Sequence, residues 1–158
     1  MTQFWLGLLG GFSGAALGVF GVEIVKFLLD PGKRLEELRD SILADMLDEI
    51  GKVDKLASAY WNGEFESNSQ EIWIVEQDIT AGLHGLVKNA VDLFENDQSA
   101  RATCEGGIRA LRSVVTGGDF GDGQKIIDPQ NSLEIKTKIS DLKRELRNQR
   151  HSLKRRFL

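Results

Sequence analysis

Two residue types that strongly constrain protein folds are nearly missing from this sequence. Its 158 residues include one cysteine, Cys104, and two prolines. A single cysteine excludes an internal disulfide framework, is typical of a reducing compartment and gives a metal cluster nothing to assemble around. The scarcity of proline, with long stretches of Ala, Leu, Glu, Lys and Arg, favours helix along most of the chain. We therefore expect an all-α protein without a metal or other cofactor, in which Cys104 is a buried thiol.

Charge is missing from one long stretch near the N-terminus. From Phe4 to Val22, nineteen consecutive positions carry no charged side chain. About 20 such residues span the ~30 Å hydrocarbon core of a bilayer, and Trp5 and Lys26 match the usual interfacial anchors. This pattern predicts a transmembrane anchor within residues 1–30.

Two other interpretations of this stretch were weighed. A cleaved signal peptide normally opens with positive charges and has an apolar core of about 7–15 residues, whereas only Thr2 and Gln3 follow Met1 here. A buried core helix of a soluble protein rarely carries six glycines, because each costs up to about 1 kcal/mol in such a helix. The membrane span is the interpretation that fits best.

The orientation of the span follows from the positive charges around it. Lys26, Lys33, Arg34 and Arg39 follow the apolar stretch, and no Lys or Arg precedes it. Positive charge stays on the cytoplasmic side of a membrane. We expect a single-pass protein of the inner or plasma membrane with its N-terminus outside and residues 31–158 forming a cytoplasmic helical domain.

The glycines of the stretch are regularly spaced. They recur in steps of four and three, which place them on one face of a helix, and we call this set the glycine face. It consists of Gly7, Gly11, Gly14, Gly18 and Gly21. Small residues let helices approach closely in lipid, so the face predicts homo-oligomers of glycine-zipper type, although a monomeric glycine-rich anchor is the alternative. The same spacing continues through Leu35, Ile42, Met46, Val53 and Tyr60 as a coiled-coil-like seam.

The remaining sequence predicts a soluble domain that resembles a four-helix bundle. Apolar residues recur at helical intervals in segments near 32–61, 69–94, 98–116 and 129–158, with short connections that make neighbours antiparallel. The expected core positions of the last three segments are Ile72, Val75, Ile79, Leu83, Leu86, Ala90, Phe94, Ala102, Ile108, Leu111, Val115, Ile135, Ile139, Leu142, Leu146 and Leu153. Asn62-Gly63 and Gly117-Gly118 are stop signals, and Asp128-Pro129 predicts the start of the last helix.

Basic residues concentrate in the last helix, 129–158. Residues 134–158 contain nine Lys or Arg against three Asp or Glu, whereas 31–133 contain ten against nineteen. The candidate lipid- or anion-binding residues are Arg147, Arg150, Lys154, Arg155 and Arg156. Counting helix directions places this end near the membrane, where basic clusters attract anionic lipid. The alternatives are a solvated helix end that complements the helix dipole, and RNA or a protein as the partner.

One pair of residues suggests catalysis. Arg144 and His151 form an R-x6-H pair in the stretch RELRNQRH. The spacing resembles the motif of HEPN ribonucleases, which are small helical bundles. The resemblance implies that His151 would act as general acid or base in RNA cleavage and that Arg144 would stabilise phosphate charge. Because the helix is rich in arginine, chance alone easily produces so short a motif, and we expect a non-enzymatic protein.

A short N-terminal span followed by a HEPN-like bundle also resembles the membrane-bound accessory proteins of type VI CRISPR systems. This resemblance implies assembly into membrane pores. The sequence therefore predicts a membrane-anchored oligomer, with pore formation or depolarisation in antiviral defence as its function. A membrane-tethered HEPN-like ribonuclease and a non-enzymatic tether or adaptor are the alternatives.

Overall fold

Every regular element in the described part of the chain is an α-helix. The computed structural model describes residues 31–65, 69–118, 120–121 and 127–156. The helices are α1 (Pro31–Trp61), α2 (Ser69–Leu93), α3 (Gln98–Val115) and α4 (Pro129–Arg156). These bounds confirm the predicted all-α class. The described helix ends lie within one residue of the predicted ones, and residues 157–158 of the last predicted segment lie outside the described residues. The chain divides into two compact units, Met1–Asp40 and Ser41–Leu158, and only residues 31–40 of the first are described.

The predicted transmembrane anchor and the glycine face lie outside the described residues. In the part of the chain that is described, none of the four helices is both long enough and apolar enough to cross a bilayer.

Contacts within the second unit show that successive helices are antiparallel. Tyr60, late in α1, contacts Glu76, early in α2, whereas Val53 and Glu49 face Gly82 further along α2. Likewise Val114 contacts Asn131, and Gly107 faces Leu142. The four-residue connection between α2 and α3 reverses the chain there as well. The described helices of this unit therefore run alternately up and down.

The C-terminus of α1 is tied to the two helices that follow α2. The Trp61 indole Nε1–H donates to the carbonyl oxygen of Val115 (3.1 Å). The backbone N–H of Asp128 donates in turn to the carbonyl oxygen of Trp61 (2.8 Å). These bonds fix the end of α1, the end of α3 and the start of α4 at one level, which we call the Trp61 end. The opposite end of this bundle is called the Ser41 end.

The bundle core consists of the apolar positions that recur every three or four residues. All the core positions predicted in α2 and α4, and Phe94 after α2, are buried. Ala102 is exposed, so its assignment to the core was wrong. In α3 the buried positions are instead Ala100, Cys104, Ile108, Leu111 and Val115. Ala102 is two residues from Ala100 and from Cys104, and this offset turns it away from the core.

The seam predicted along α1 packs within the chain itself. Met46, Val53 and Tyr60 belong to the same buried cluster as the core residues of α2, α3 and α4. Beyond Ser41 the seam therefore stabilises the bundle, and the coiled-coil interpretation of this part is corrected. The period of the sequence pattern could not distinguish the two, because helices inside one bundle pack with the same spacing as helices of separate chains.

Gly82 and Gly85 in α2 provide a matched test of this packing. A Cβ atom at Gly82 would lie 2.8 Å from Val53 Cγ2, a β-branched side chain with little freedom, whereas nothing lies within 4 Å of one at Gly85. Gly82→Ala should destabilise the protein by about 1–3 kcal/mol, reduced by the gain in helix propensity. Gly85→Ala should stabilise it by up to about 1 kcal/mol. Urea unfolding followed by circular dichroism measures both, and equal effects would contradict close α1–α2 packing at Gly82.

Candidate functional site: the basic face of α4

The second half of α4 has one buried side and one strongly basic side. Leu142, Leu146 and Leu153 are buried in the core. The side chains at intervals of three and four on the other side are exposed, and we call this set the basic face. It consists of Arg144, Arg147, His151, Lys154 and Arg155. At 1.5 Å per residue the face is about 16 Å long.

Little negative charge opposes the basic face. Arg144 Nη2 lies 2.8 Å from Asp141 Oδ1, one turn earlier on the same helix. Both side chains are mostly exposed, at 73% and 51%, and an exposed pair of this kind contributes only about 0–1 kcal/mol. Arg144 therefore remains hydrated and available to another anion. Four permanent cations share the surface with two neighbouring carboxylates, Asp141 and Glu145, which line the groove at Arg144.

Arg150, one of the predicted anion-binding residues, is buried. Only 4% of its surface is exposed. It follows Leu146 by four residues and precedes Leu153 by three, so its spacing places it on the core side of α4. Arg150 is consequently not part of the basic face. The same spacing in the sequence was a signal that could have separated Arg150 from Arg147.

The other predicted anion-binding residues divide into two groups. Arg147, Lys154 and Arg155 are exposed on the basic face. The backbone of Arg156 belongs to α4, but its side chain lies outside the described residues.

The suggested catalytic pair shares a face, but the groove beside Arg144 does not reach His151. Arg144 and His151 are seven residues apart, which is about 10.5 Å along the helix axis. Arg144 lines a groove of about 350 Å³ between α3 and α4, and His151 does not line it. Within the described residues, the one hydrogen bond of Arg144 is to Asp141 and none joins it to His151. This arrangement offers two exposed side chains to an anion, without an enclosed site that would exclude water from a reaction.

A buried carboxylate that sequence analysis missed lies at the Trp61 end. Glu76 Oε1 accepts hydrogen bonds from the Tyr60 hydroxyl (2.8 Å) and from the backbone N–H of Gly121 (3.1 Å). The Phe120 ring packs 5.2 Å from the Tyr60 ring. These contacts hold the described part of the α3–α4 connection against α1 and α2, so Glu76 is structural. Its position next to Val75 and three residues before Ile79, both core residues, was the available signal.

The remaining titratable candidates do not form a centre. His84 is exposed on α2 and Cys104 is buried in α3. Among the described residues, no three His, Cys, Asp or Glu side chains are grouped so that they would hold a metal ion.

Burial also determines how Cys104 reacts. Desolvation, with the nearby Glu145 carboxylate, raises the pKa of this thiol from its ordinary value of 9.0 to about 12. The thiolate is the reactive form, so we expect a maleimide to leave folded Cys104 unmodified at pH 7 and to label it after denaturation.

The unfolded thiol ionises at lower pH than the folded one. The stabilisation it contributes is therefore complete below about pH 9 and falls as the pH rises towards 12. Rapid maleimide labelling of the native protein at pH 7 would contradict the burial and raised pKa of Cys104.

No family model matches this chain, and neither a curated protein nor a solved structure matches it.

Proposed function

We propose that this protein is anchored in a membrane by residues 1–30 and self-associates there through the glycine face. The observation that carries the proposal is the uncharged stretch from Phe4 to Val22, with its glycines on one helical face. The proposed membrane is the inner or plasma membrane, with the N-terminus outside and the bundle in the cytoplasm, because Lys26, Lys33 and Arg34 follow the stretch.

The closed core of the bundle supports self-association outside it. Met46, Val53 and Tyr60 are already buried by the chain's own helices, so contacts between copies need another surface. Leu35 continues the spacing of the glycine face and is 40% exposed. We propose that copies contact one another through the glycine face in lipid and through Leu35 beyond it. This interface leaves the core of the bundle intact.

The proposed activity is that of a membrane effector that forms pores or depolarises the membrane in antiviral defence. Support comes from the resemblance of an N-terminal span with a helical bundle to the membrane-bound accessory proteins of type VI CRISPR systems. The described bundle agrees with this comparison in being entirely helical. The proposal requires assembly in the membrane and assigns no catalytic role to the bundle.

A second candidate function is a membrane-tethered HEPN-like ribonuclease. The observation in its favour is that Arg144 and His151 are both exposed on one face of α4, two turns apart. Their separation of about 10.5 Å along the helix axis favours the non-enzymatic proposal. A tether or adaptor that recruits a protein or RNA is the third function class.

The glycine face can be tested by changing its packing. Gly14→Leu with Gly18→Leu should block close helix approach, because two leucine side chains would separate the backbones. The mass of the full chain in detergent should fall from oligomer to monomer. Leu17→Ala removes side-chain volume between these positions and should leave the mass unchanged. A double variant with the mass of the unaltered protein would show that the glycines do not mediate assembly.

The ribonuclease and effector functions separate at His151. General acid–base catalysis contributes typically 10²–10⁴-fold, so a ribonuclease with His151→Ala should lose nearly all RNA cleavage. An effector should depolarise cells as before. Since His151 is exposed, the substitution should change stability by no more than about 0.5 kcal/mol.

Membrane potential and RNA integrity should be followed together in expressing cells. Asn148→Ala is the matched control, because Asn148 is an exposed neighbour with no acid–base chemistry. RNA cleavage that disappears only in His151→Ala would reject the effector proposal. Depolarisation that survives in both variants would reject the ribonuclease.

A further inference from the structure

We propose that the basic face of α4 binds the phosphate groups of anionic phospholipids and docks the Ser41 end of the bundle onto a membrane surface. The proposal rests on the membrane anchoring proposed above. It assigns lipid contact to the arginines and the lysine of the face, Arg144, Arg147, Lys154 and Arg155, and excludes the buried Arg150.

The first argument is the position of the basic face in the bundle. The Asp128 N–H bonds to the carbonyl oxygen of Trp61, so α1 and α4 are level there. Ser41 precedes Trp61 by twenty residues and Asn148 follows Asp128 by twenty, about 30 Å in each helix. Because the two helices run in opposite directions, Ser41 and Asn148 lie at the same end. The centre of the basic face is thus at the Ser41 end, where the second unit begins.

The second argument is the chemistry of the face. Arginine donates paired N–H groups that match phosphate oxygens, and lysine adds a compact charge. Arg147, Lys154 and Arg155 have no ion pair in the described structure, and Arg144 has one exposed pair that an anion can replace. The buried leucines on the other side of α4 hold the helix in place. A fixed row of cations about 16 Å long fits a surface with many phosphates better than a single small anion.

The third argument favours lipid over RNA. Proteins that bind single strands combine a positive surface with aromatic side chains on which bases stack. The basic face has no Phe, Tyr or Trp. Trp73, an exposed tryptophan of α2, precedes Glu76 by three residues and therefore lies near the Trp61 end, away from the basic face. The imidazole of His151 is the one aromatic ring among the described residues of the face, so the face offers mainly charge, which is what a phospholipid surface requires.

The experiment places a fluorescent probe on the basic face of the full chain in vesicles. Asn148→Cys puts the probe within the face, and Thr137→Cys puts it eleven residues earlier on the same exposed side of α4. Eleven residues are about three turns, so the two probes differ mainly in height along the helix. Cys104 is buried and its pKa is about 12, so the introduced cysteine alone takes the label at pH 7. Two vesicle types are compared, one of phosphatidylcholine and one of phosphatidylcholine with phosphatidylserine. Both contain a lipid whose headgroup quenches the fluorescent probe.

The expected result is quenching at position 148 in vesicles with phosphatidylserine, weaker quenching in phosphatidylcholine, and little at position 137 in either. Salt should reduce the quenching, because it screens exposed charges. Each cation removed should lower the equilibrium constant for docking about fivefold. Arg147→Gln with Lys154→Gln should therefore lower this constant about 25-fold. Lys136→Gln with Lys138→Gln removes equal charge from the other half of α4 and should have little effect.

Each other outcome has a definite meaning. Equal quenching in both vesicle types, or quenching unchanged by Arg147→Gln with Lys154→Gln, would overturn the proposal. Tight binding of a fluorescent single-stranded RNA through the same residues, without dependence on phosphatidylserine, would replace lipid by RNA. Flotation of the chain with the vesicles tests anchoring separately from the contact made by the basic face. A chain that does not float with either type refutes the anchor, whereas one that floats without quenching at position 148 refutes only the basic-face contact.

Discussion

The arrangement of this bundle depends on how Trp61 is held. Its indole N–H bonds to the last residue of α3, and its carbonyl oxygen accepts the N–H of Asp128 just before α4. A buried indole N–H without an acceptor would cost about 1–3 kcal/mol. The Trp61 ring is therefore stable in its buried position only while the end of α3 supplies the acceptor. Gly63 and Gly118, both with positive φ, end the neighbouring helices where such turns are needed. With α1, α3 and α4 level at this end, the lengths of α1 and α4 decide what meets at the other end.

The consequence for function is the position of charge. The acidic and basic parts of the sequence belong to one bundle. Exposed basic residues such as Lys52 and Arg109 occur on other helices, but they are most concentrated in the second half of α4. Core spacing turns Arg150 inward and leaves Arg144, Arg147, His151, Lys154 and Arg155 outward. Antiparallel packing then brings this face to the end at which Ser41 enters. The lipid contact proposed above uses the cations at this end of the bundle.

Much of the fold was predictable because apolar spacing reports burial directly. The bounds of the four helices, the cores of α2 and α4 and the cap at Asp128 follow from local pattern and local hydrogen bonds. Ala102 is exposed and Arg150 is buried, because spacing from neighbouring core residues decides burial on a helix more strongly than residue type does. Glu76 was missed because a buried carboxylate depends on partners from distant segments, here Tyr60 and Gly121.

The sequence by itself determined the helical class, the segment boundaries, the uncharged glycine-bearing stretch and the basic character of the C-terminal helix. These are properties of residues close together in the chain, where periodicity and capping act. Only the tertiary structure decided that the α1 seam closes the chain's own core, that Arg150 is buried, and that Arg144 lines a groove that His151 does not. Those outcomes depend on which helix packs on which, because one helical period serves packing within a chain and between chains equally well.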